Sequence, residues 1–144
     1  MLRSFFFICA SLLCATLALP PAAAQTEGAA QPALAIELNK LEAVGDTCRA
    51  FFIVRNGVGA NLTNLDLDTF IFGSDGIIAQ RLALPFGAIP AGRMRILSFD
   101  FSLGCEAIGS LFVNEVLDCT FDGAAVDCPA ALVTSSRSPQ TLDY

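Results

Sequence analysis

The chain contains no histidine and no tryptophan, one tyrosine, and one lysine, Lys40. Without histidine there is no Ser-His-Asp triad, no Cys-His dyad, no H-E-x-x-H zinc site and no imidazole general base. Lys40 stands outside any Ser-x-x-Lys motif, which removes serine–lysine catalysis. Basic residues are scarce too, eight against fourteen acidic ones, for a net charge of −6. Nucleic acid needs a basic stripe to displace counterions from its phosphates, so no nucleic-acid partner is expected. No Gly-rich phosphate loop or dinucleotide fingerprint occurs. Phenylalanine supplies twelve of the aromatic residues, a type that fills cores and needs no hydrogen-bond partner.

The first 24 residues have the pattern of a cleaved export signal. Arg3 gives a positive start, Phe5 to Leu19 is almost wholly apolar, Pro20-Pro21 breaks any helix, and Ala22-Ala23-Ala24 fits the small-x-small cleavage rule. The apolar run is shorter than the roughly 20 residues a membrane-spanning helix needs. Cleavage after Ala24 leaves no stable membrane span and makes Gln25 the mature N-terminus. Leu13 before Cys14 and Ile8 before Cys9 fail the lipoprotein rule, and no Arg-Arg pair points to twin-arginine export. Removing 24 of the 144 residues leaves 120, and the loss of Arg3 takes the net charge from −6 to −7. The expected location is the periplasm or outside the cell. Residues 25–32 read as a disordered leader, 33–133 as one folded domain, and 134–144, with Thr-Ser-Ser-Arg-Ser-Pro-Gln, as a flexible tail.

The mature chain keeps Cys48, Cys105, Cys119 and Cys128. An even number in an exported domain predicts two disulfides, with three possible connectivities. One pairing has a geometric argument. A hairpin with a four-residue loop, Asp122 to Ala125, sets Phe121 opposite Val126 and Cys119 opposite Cys128, close enough to bridge. Cys48 and Cys105 then remain. The spacings of 57, 14 and 9 contain no Cys-x-x-Cys, and an oxidising compartment works against a zinc–thiolate site, so no metal is expected there.

The folded region reads as short strands and turns. Ala33 to Val44 begins with Leu34, Ile36 and Leu38 on one face and slips phase at Asn39-Lys40, as a bulge or a short helix would. Cys48 to Asn56 is a buried strand, Gly57 to Asn61 a loop, and Leu65 to Phe72 a strand that starts in strict alternation. Gly73-Ser74-Asp75-Gly76 turns into Ile77 to Phe86, and Pro90-Ala91-Gly92 turns into Arg93 to Phe101, with Arg95, Leu97, Phe99 and Phe101 on one side. Cys105 to Leu117 opens the next strand. No helical apolar stripe runs beyond about two turns. About seven short strands at this spacing predict an all-β, antiparallel, immunoglobulin-like sandwich.

The stretch Phe51 to Phe101 resembles exported bacterial immunoglobulin-like and fibronectin-III-like domains. It carries a strand ending Arg55-Asn56-Gly57, a strand with Leu65 and Leu67, an Asp75-Gly76 turn, the corner Ile89-Pro90-Ala91-Gly92, and a strand ending Ser98-Phe99-Asp100-Phe101. With Leu38-Asn39-Lys40-Leu41-Glu42 and Val113-Asn114-Glu115-Val116, the mature chain is similar to small uncharacterised exported bacterial proteins, some labelled Tat-pathway signal-sequence domain proteins. The resemblance implies a sandwich in the cell envelope and carries no known activity.

Carboxylates are the remaining acid–base equipment. Asp66 and Asp68 share a strand face, with Asp75 at the adjoining turn, an oxygen-rich set that Ca²⁺ accepts, but the D-x-[DN]-x-[DN]-G loop is absent. A glycosidase pair would lack a Trp or Tyr platform, and neither Asp68-Thr69-Phe70 nor Asp75-Gly76 is an aspartic-protease loop. Asn61-Leu62-Thr63 is a glycosylation sequon, relevant only in a eukaryotic secretory pathway. Arg81, Arg93 and Arg95 are placed to pair with Asp66 and Asp68 across a sheet. Arg49 and Arg55 lie six apart on one side of a strand, and that side is the candidate interaction face, because buried arginine is rare. No catalytic residue, metal or cofactor is expected. The role expected is binding or structural support in the envelope, with an unidentified protein partner. A strand-donating assembly factor and a small carboxylate hydrolase are the alternatives.

Overall fold

The computed structural model describes residues 34–125, 128 and 132–144. The export signal and leader fall outside these residues. Alternation of apolar and polar residues sets the strands. β1 (Leu34–Val44) buries Leu34, Ile36 and Leu38, and β2 (Thr47–Asn56) buries Cys48, Ala50, Phe52 and Val54. β3 (Leu62–Gly73), β4 (Ile78–Pro85), β5 (Met94–Phe101) and β6 (Ile108–Phe121) follow. Three short strands complete the set: β7 (Ala124–Ala125), β8 (Leu132–Ser136) and β9 (Thr141–Asp143).

They form two sheets. One has the order β5-β2-β1-β8. The other has β4-β3-β6-β7, with β9 also pairing to β6. The all-β sandwich with two disulfides is what forms, and the bonds join Cys48 to Cys105 and Cys119 to Cys128, with Cα–Cα distances of 4.8 and 6.2 Å. The phase slip at Asn39-Lys40 is a bulge: the register of β1 on β2 shifts between Leu38 and Lys40.

Four local expectations are corrected. The hairpin after β6 turns in two residues rather than four, because Asp122 (φ 48°) and Gly123 (φ 78°) both occupy the left-handed region of a tight hairpin turn. Phe121 therefore faces Ala124, not Val126. Cys105 opens no strand, since Cys105–Ala107 is a single 3₁₀ turn that delivers its sulfur to β2. The segment 134–144 is not a loose tail. β8 runs parallel to β1 and β9 parallel to β6, so the chain end straps both sheets and seats Leu132 and Leu142 in the core. These two parallel pairs also qualify the antiparallel expectation, and they carry the folded unit beyond residue 133.

The core lies between the sheets. Phe52, Phe86 and Phe99 meet edge to face, with ring centroids 5.3 to 5.8 Å apart. Each such pair adds about 0.5–1.5 kcal/mol beyond the area buried. Asn56, buried at the end of β2, donates from Nδ2 to the carbonyls of Ala60 and Ile89, while its Oδ1 accepts from the N–H of Val58. Its backbone bonds Gly92 and Arg93. One satisfied amide thus fixes the loop before β3 and the turn that launches β5.

Candidate functional site

The register of the four-stranded sheet assigns its outer face residue by residue. One rung reads Met94, Arg55, Ala35, Val133, and the next Ile96, Ile53, Glu37, Ser135. Ser98, Phe51 and Lys40 follow, and then Asp100, Arg49 and Glu42. Arg49 and Arg55 do share this face. Beside Arg55, on its own rung and the next, lie exposed apolar residues: Met94 is 48%, Ile96 64% and Val133 53% exposed. Phe51, Ile53 and Ile96, with Asn39 and Lys40, line a shallow depression of about 340 Å³. Solitary exposed apolar residues are ordinary, but a contiguous band with a depression is a feature of binding surfaces.

The ionic groups divide the face. At one end Arg49 donates two hydrogen bonds to Asp100, at 2.7 and 2.8 Å, and Lys40 pairs with Glu42 over the Phe51 ring. The Arg49 bonds hold the Asp100 carboxyl below its ordinary range. Glu37 is also lowered, first by the amide of Asn39, whose Nδ2 lies 2.8 Å away, and further by Arg137. At the other end Arg55 has no carboxylate within ion-pairing distance among the described residues. Arg93 and Arg95 are in the same position, although Arg95 Nη1 donates to the Ala88 carbonyl at 2.7 Å. The expected pairing of Arg93 and Arg95 with Asp66 and Asp68 does not occur, because β5 and β3 belong to different sheets.

Arg81 does pair across its sheet. It donates to both Asp68 oxygens, at 2.8 and 3.0 Å, and lies over the Phe70 ring. Asn114 adds a third bond to Asp68, a residue only 3% exposed. The Arg81 bonds hold the Asp68 carboxyl below its ordinary range against the opposing effect of desolvation. Asp66 and Asp118 share the Asn64 amide, and Asp75 accepts the Ile77 N–H in its turn. The three aspartates weighed for Ca²⁺ thus have separate structural partners. Among the described residues no cluster of three or more His, Cys, Asp or Glu could hold a metal ion. Asn61 of the sequon is engaged as well, donating to Asp122 at 2.9 Å and accepting the Ala91 N–H.

Charge is segregated between the sheets. The strands of the first carry Lys40, Arg49, Arg55 and Arg95 against Glu37, Glu42 and Asp100, a net of +1, with Arg93 and Arg137 immediately flanking them. Those of the second carry Arg81 alone against Asp66, Asp68, Glu115, Asp118 and Asp143, a net of −4. Sequence reasoning named Arg49 and Arg55 but missed Met94, Ile96 and the depression. The signal was present: Met94 and Ile96 alternate with Leu97 and Phe99, so β5 is apolar on both faces.

No helix among the described residues is long and apolar enough to cross a membrane. No family model and no curated protein matches the chain. Among solved structures the chain is similar to that of IrmA from Escherichia coli, with a TM-score of 0.55 and 15% identity, covering 72% of this chain and 92% of that one. At this identity the likeness is one of fold.

Proposed function

We propose that the chain is an exported, non-catalytic binding module of the bacterial cell envelope and that it works through the outer face of its four-stranded sheet. The observation that carries this reading is the exposed band of Met94, Ile96 and Val133 beside the Phe51–Ile53–Ile96 depression. Leaving such a surface in water is unfavourable by about 25 cal/mol per Å², and a partner that covers it recovers that amount. Export is supported by the residue 1–24 pattern and by two disulfides, which persist in oxidising compartments. Among the described residues Glu37, Glu42, Asp68 and Asp100 are held in ion pairs, Asp66 and Asp118 share the Asn64 amide, and Asp75 is held in its turn.

Photo-crosslinking in the envelope tests the face. Benzoylphenylalanine in place of Ile96 is expected to give a discrete crosslinked product, and in place of Ala83, exposed on the other sheet, none. Equal yields at the two positions, or none at Ile96, would refute the reading. Intact mass tests export: the mature chain should begin at Gln25 and weigh four hydrogens less than its fully reduced form.

A further inference from the structure

We infer that the free edge of β5 accepts an extended acidic segment of a partner protein as a fifth strand of this sheet. The inference rests on the proposed binding face and specifies its occupant. β5 is an edge strand among the described residues, joined only to β2. Alternate residues of an antiparallel edge turn N–H and C=O away from the sheet, so half of the eight in Met94–Phe101 present unpaired backbone groups. Natural sheets block such edges with inward charges, prolines or bulges. β5 has no proline, and its pairing with β2 runs without a register shift from Met94 to Phe101; its one core-side charge is Arg95, which blocks a basic strand and which an acidic one neutralises.

The charges around this edge choose the partner. Arg93 and Arg95 lie at its core-side rim, and Arg55 stands opposite Met94 on the outer face. These are the three guanidiniums without a carboxylate partner among the described residues. Arg93 and Arg95 flank the track an added strand would follow, and Arg55 lies one strand further in, on β2. The one acid on β5, Asp100, is already held by two bonds from Arg49. A second copy of β5 would bring the same unpaired arginines to the same edge, so the charge disfavours self-pairing. An incoming strand with an aliphatic side chain beside Ile96 and carboxylates on the flanking positions, which point to the core side, satisfies the backbone edge, the apolar band and the Arg93–Arg95 pair together.

The probe is a fluorescein-labelled nine-residue peptide that alternates glutamate with isoleucine and valine, measured by anisotropy in 0.1 M salt. The screening length is then about 10 Å, so the acidic second sheet contributes little repulsion. Three further peptides serve as controls: one with lysine for glutamate, one with proline at alternate positions, and one with the sequence scrambled. The acidic peptide is expected to bind, the lysine peptide not to bind, and the proline peptide to lose binding because it cannot complete the ladder. Each of R93Q and R95Q should weaken binding about three-fold and the double variant about ten-fold, while R55Q, on the aliphatic side of the bound strand, should change it less. Binding should shift the backbone amide signals of residues 94–101.

Equal binding of acidic and lysine peptides, or of the proline peptide, would overturn the proposal. So would amide shifts confined to β3, β4 and β6, or a dimer through β5 that the acidic peptide does not dissociate. The peptide controls use the unaltered protein, so misfolding of an arginine variant leaves the test intact. Crosslinking at Ile96 that the acidic peptide neither matches nor competes would sink this inference and leave the binding face standing. Absence of crosslinking would remove both.

Discussion

The two disulfides should contribute unequally, and the structure supplies the magnitudes. The Cys48–Cys105 bond closes a loop across a sequence separation of 57, whereas Cys119–Cys128 spans 9. Cross-linking removes chain entropy from the unfolded state as the logarithm of loop length, giving about 4 kcal/mol for the first and about 2.7 for the second. Packing widens the gap. Cys48 is fully buried at the start of β2 and ties the 3₁₀ turn before β6 to the opposite sheet, while the short bond reinforces a hairpin that Asp122 and Gly123 already fold tightly. The assay is urea unfolding of two double variants, Cys48→Ala/Cys105→Ala and Cys119→Ala/Cys128→Ala, compared by free energy in water, because a longer unfolded chain also raises the slope. The long-loop variant should lose at least about 1.3 kcal/mol more than the short-loop one. Against a total of roughly 5–15 kcal/mol, that difference separates a folded protein from a marginal one. Equal losses, or a larger loss from the hairpin pair, would refute the loop-entropy reasoning.

Other outcomes follow from the same structure. Phe52→Ala should cost about 3–5 kcal/mol in chemical denaturation, because Phe52 is buried against two rings, and Phe51→Ala on the half-exposed outer face should cost less than half as much. Asp68 and Asp100 are lowered in the folded state by their arginine partners, so their contribution is present above an unfolded carboxyl value of about 4 and is lost as pH falls through the lower folded values. Thermal melts should therefore drop below about pH 4. Arg81→Met should flatten that drop, since Asp68 without its cation no longer favours the charged form; identical pH profiles would count against the pairing. A chain ending at residue 131 loses β8 and β9, which uncovers Leu34, Leu38 and Leu111, and it should melt at least 10 °C lower and be cleaved faster by protease.

The strands legible in the sequence are those whose own residues announce burial. Leu34, Ile36 and Leu38 alternate, Cys48 to Asn56 alternates around Phe52, and Gly73 to Gly76 turns by composition, so local pattern and tertiary burial agree. The chain end failed for a definable reason. β8 and β9 bury one leucine each among the polar residues from Thr134 to Gln140, too few for any periodicity. That polarity is consumed internally: the Ser136 hydroxyl donates to the Gln140 carbonyl and accepts the Ser138 N–H. Both strands are held by parallel pairing to distant β1 and β6, which no local window reports. The candidate face was half legible. Spacing along β2 places Arg49 and Arg55 together, but the unpaired state of Arg55 depends on β5 supplying Met94 rather than an acid opposite it, and that is a property of register.

The composition also bears on how such a face can bind. Hot spots are enriched in tryptophan, tyrosine and arginine, and this chain has no tryptophan and a single tyrosine, Tyr144, which directly follows β9 of the other sheet. Of the phenylalanines, Phe52, Phe86 and Phe101 are spent in the core, and Phe51 lines the depression on this face. Arginine is the other anchor type, and three of the six described arginines gather at or beside β5 without a carboxylate partner among the described residues. Three exposed guanidiniums alone give weak, salt-sensitive attraction, about 1 kcal/mol each at most. A backbone edge supplies what the side chains lack, because ladder hydrogen bonds make no demand on side-chain chemistry and are added in a row. A module of this composition gains affinity from its main chain, selects its partner by charge, and needs the rigid, doubly stapled sandwich to hold the edge straight while it does so.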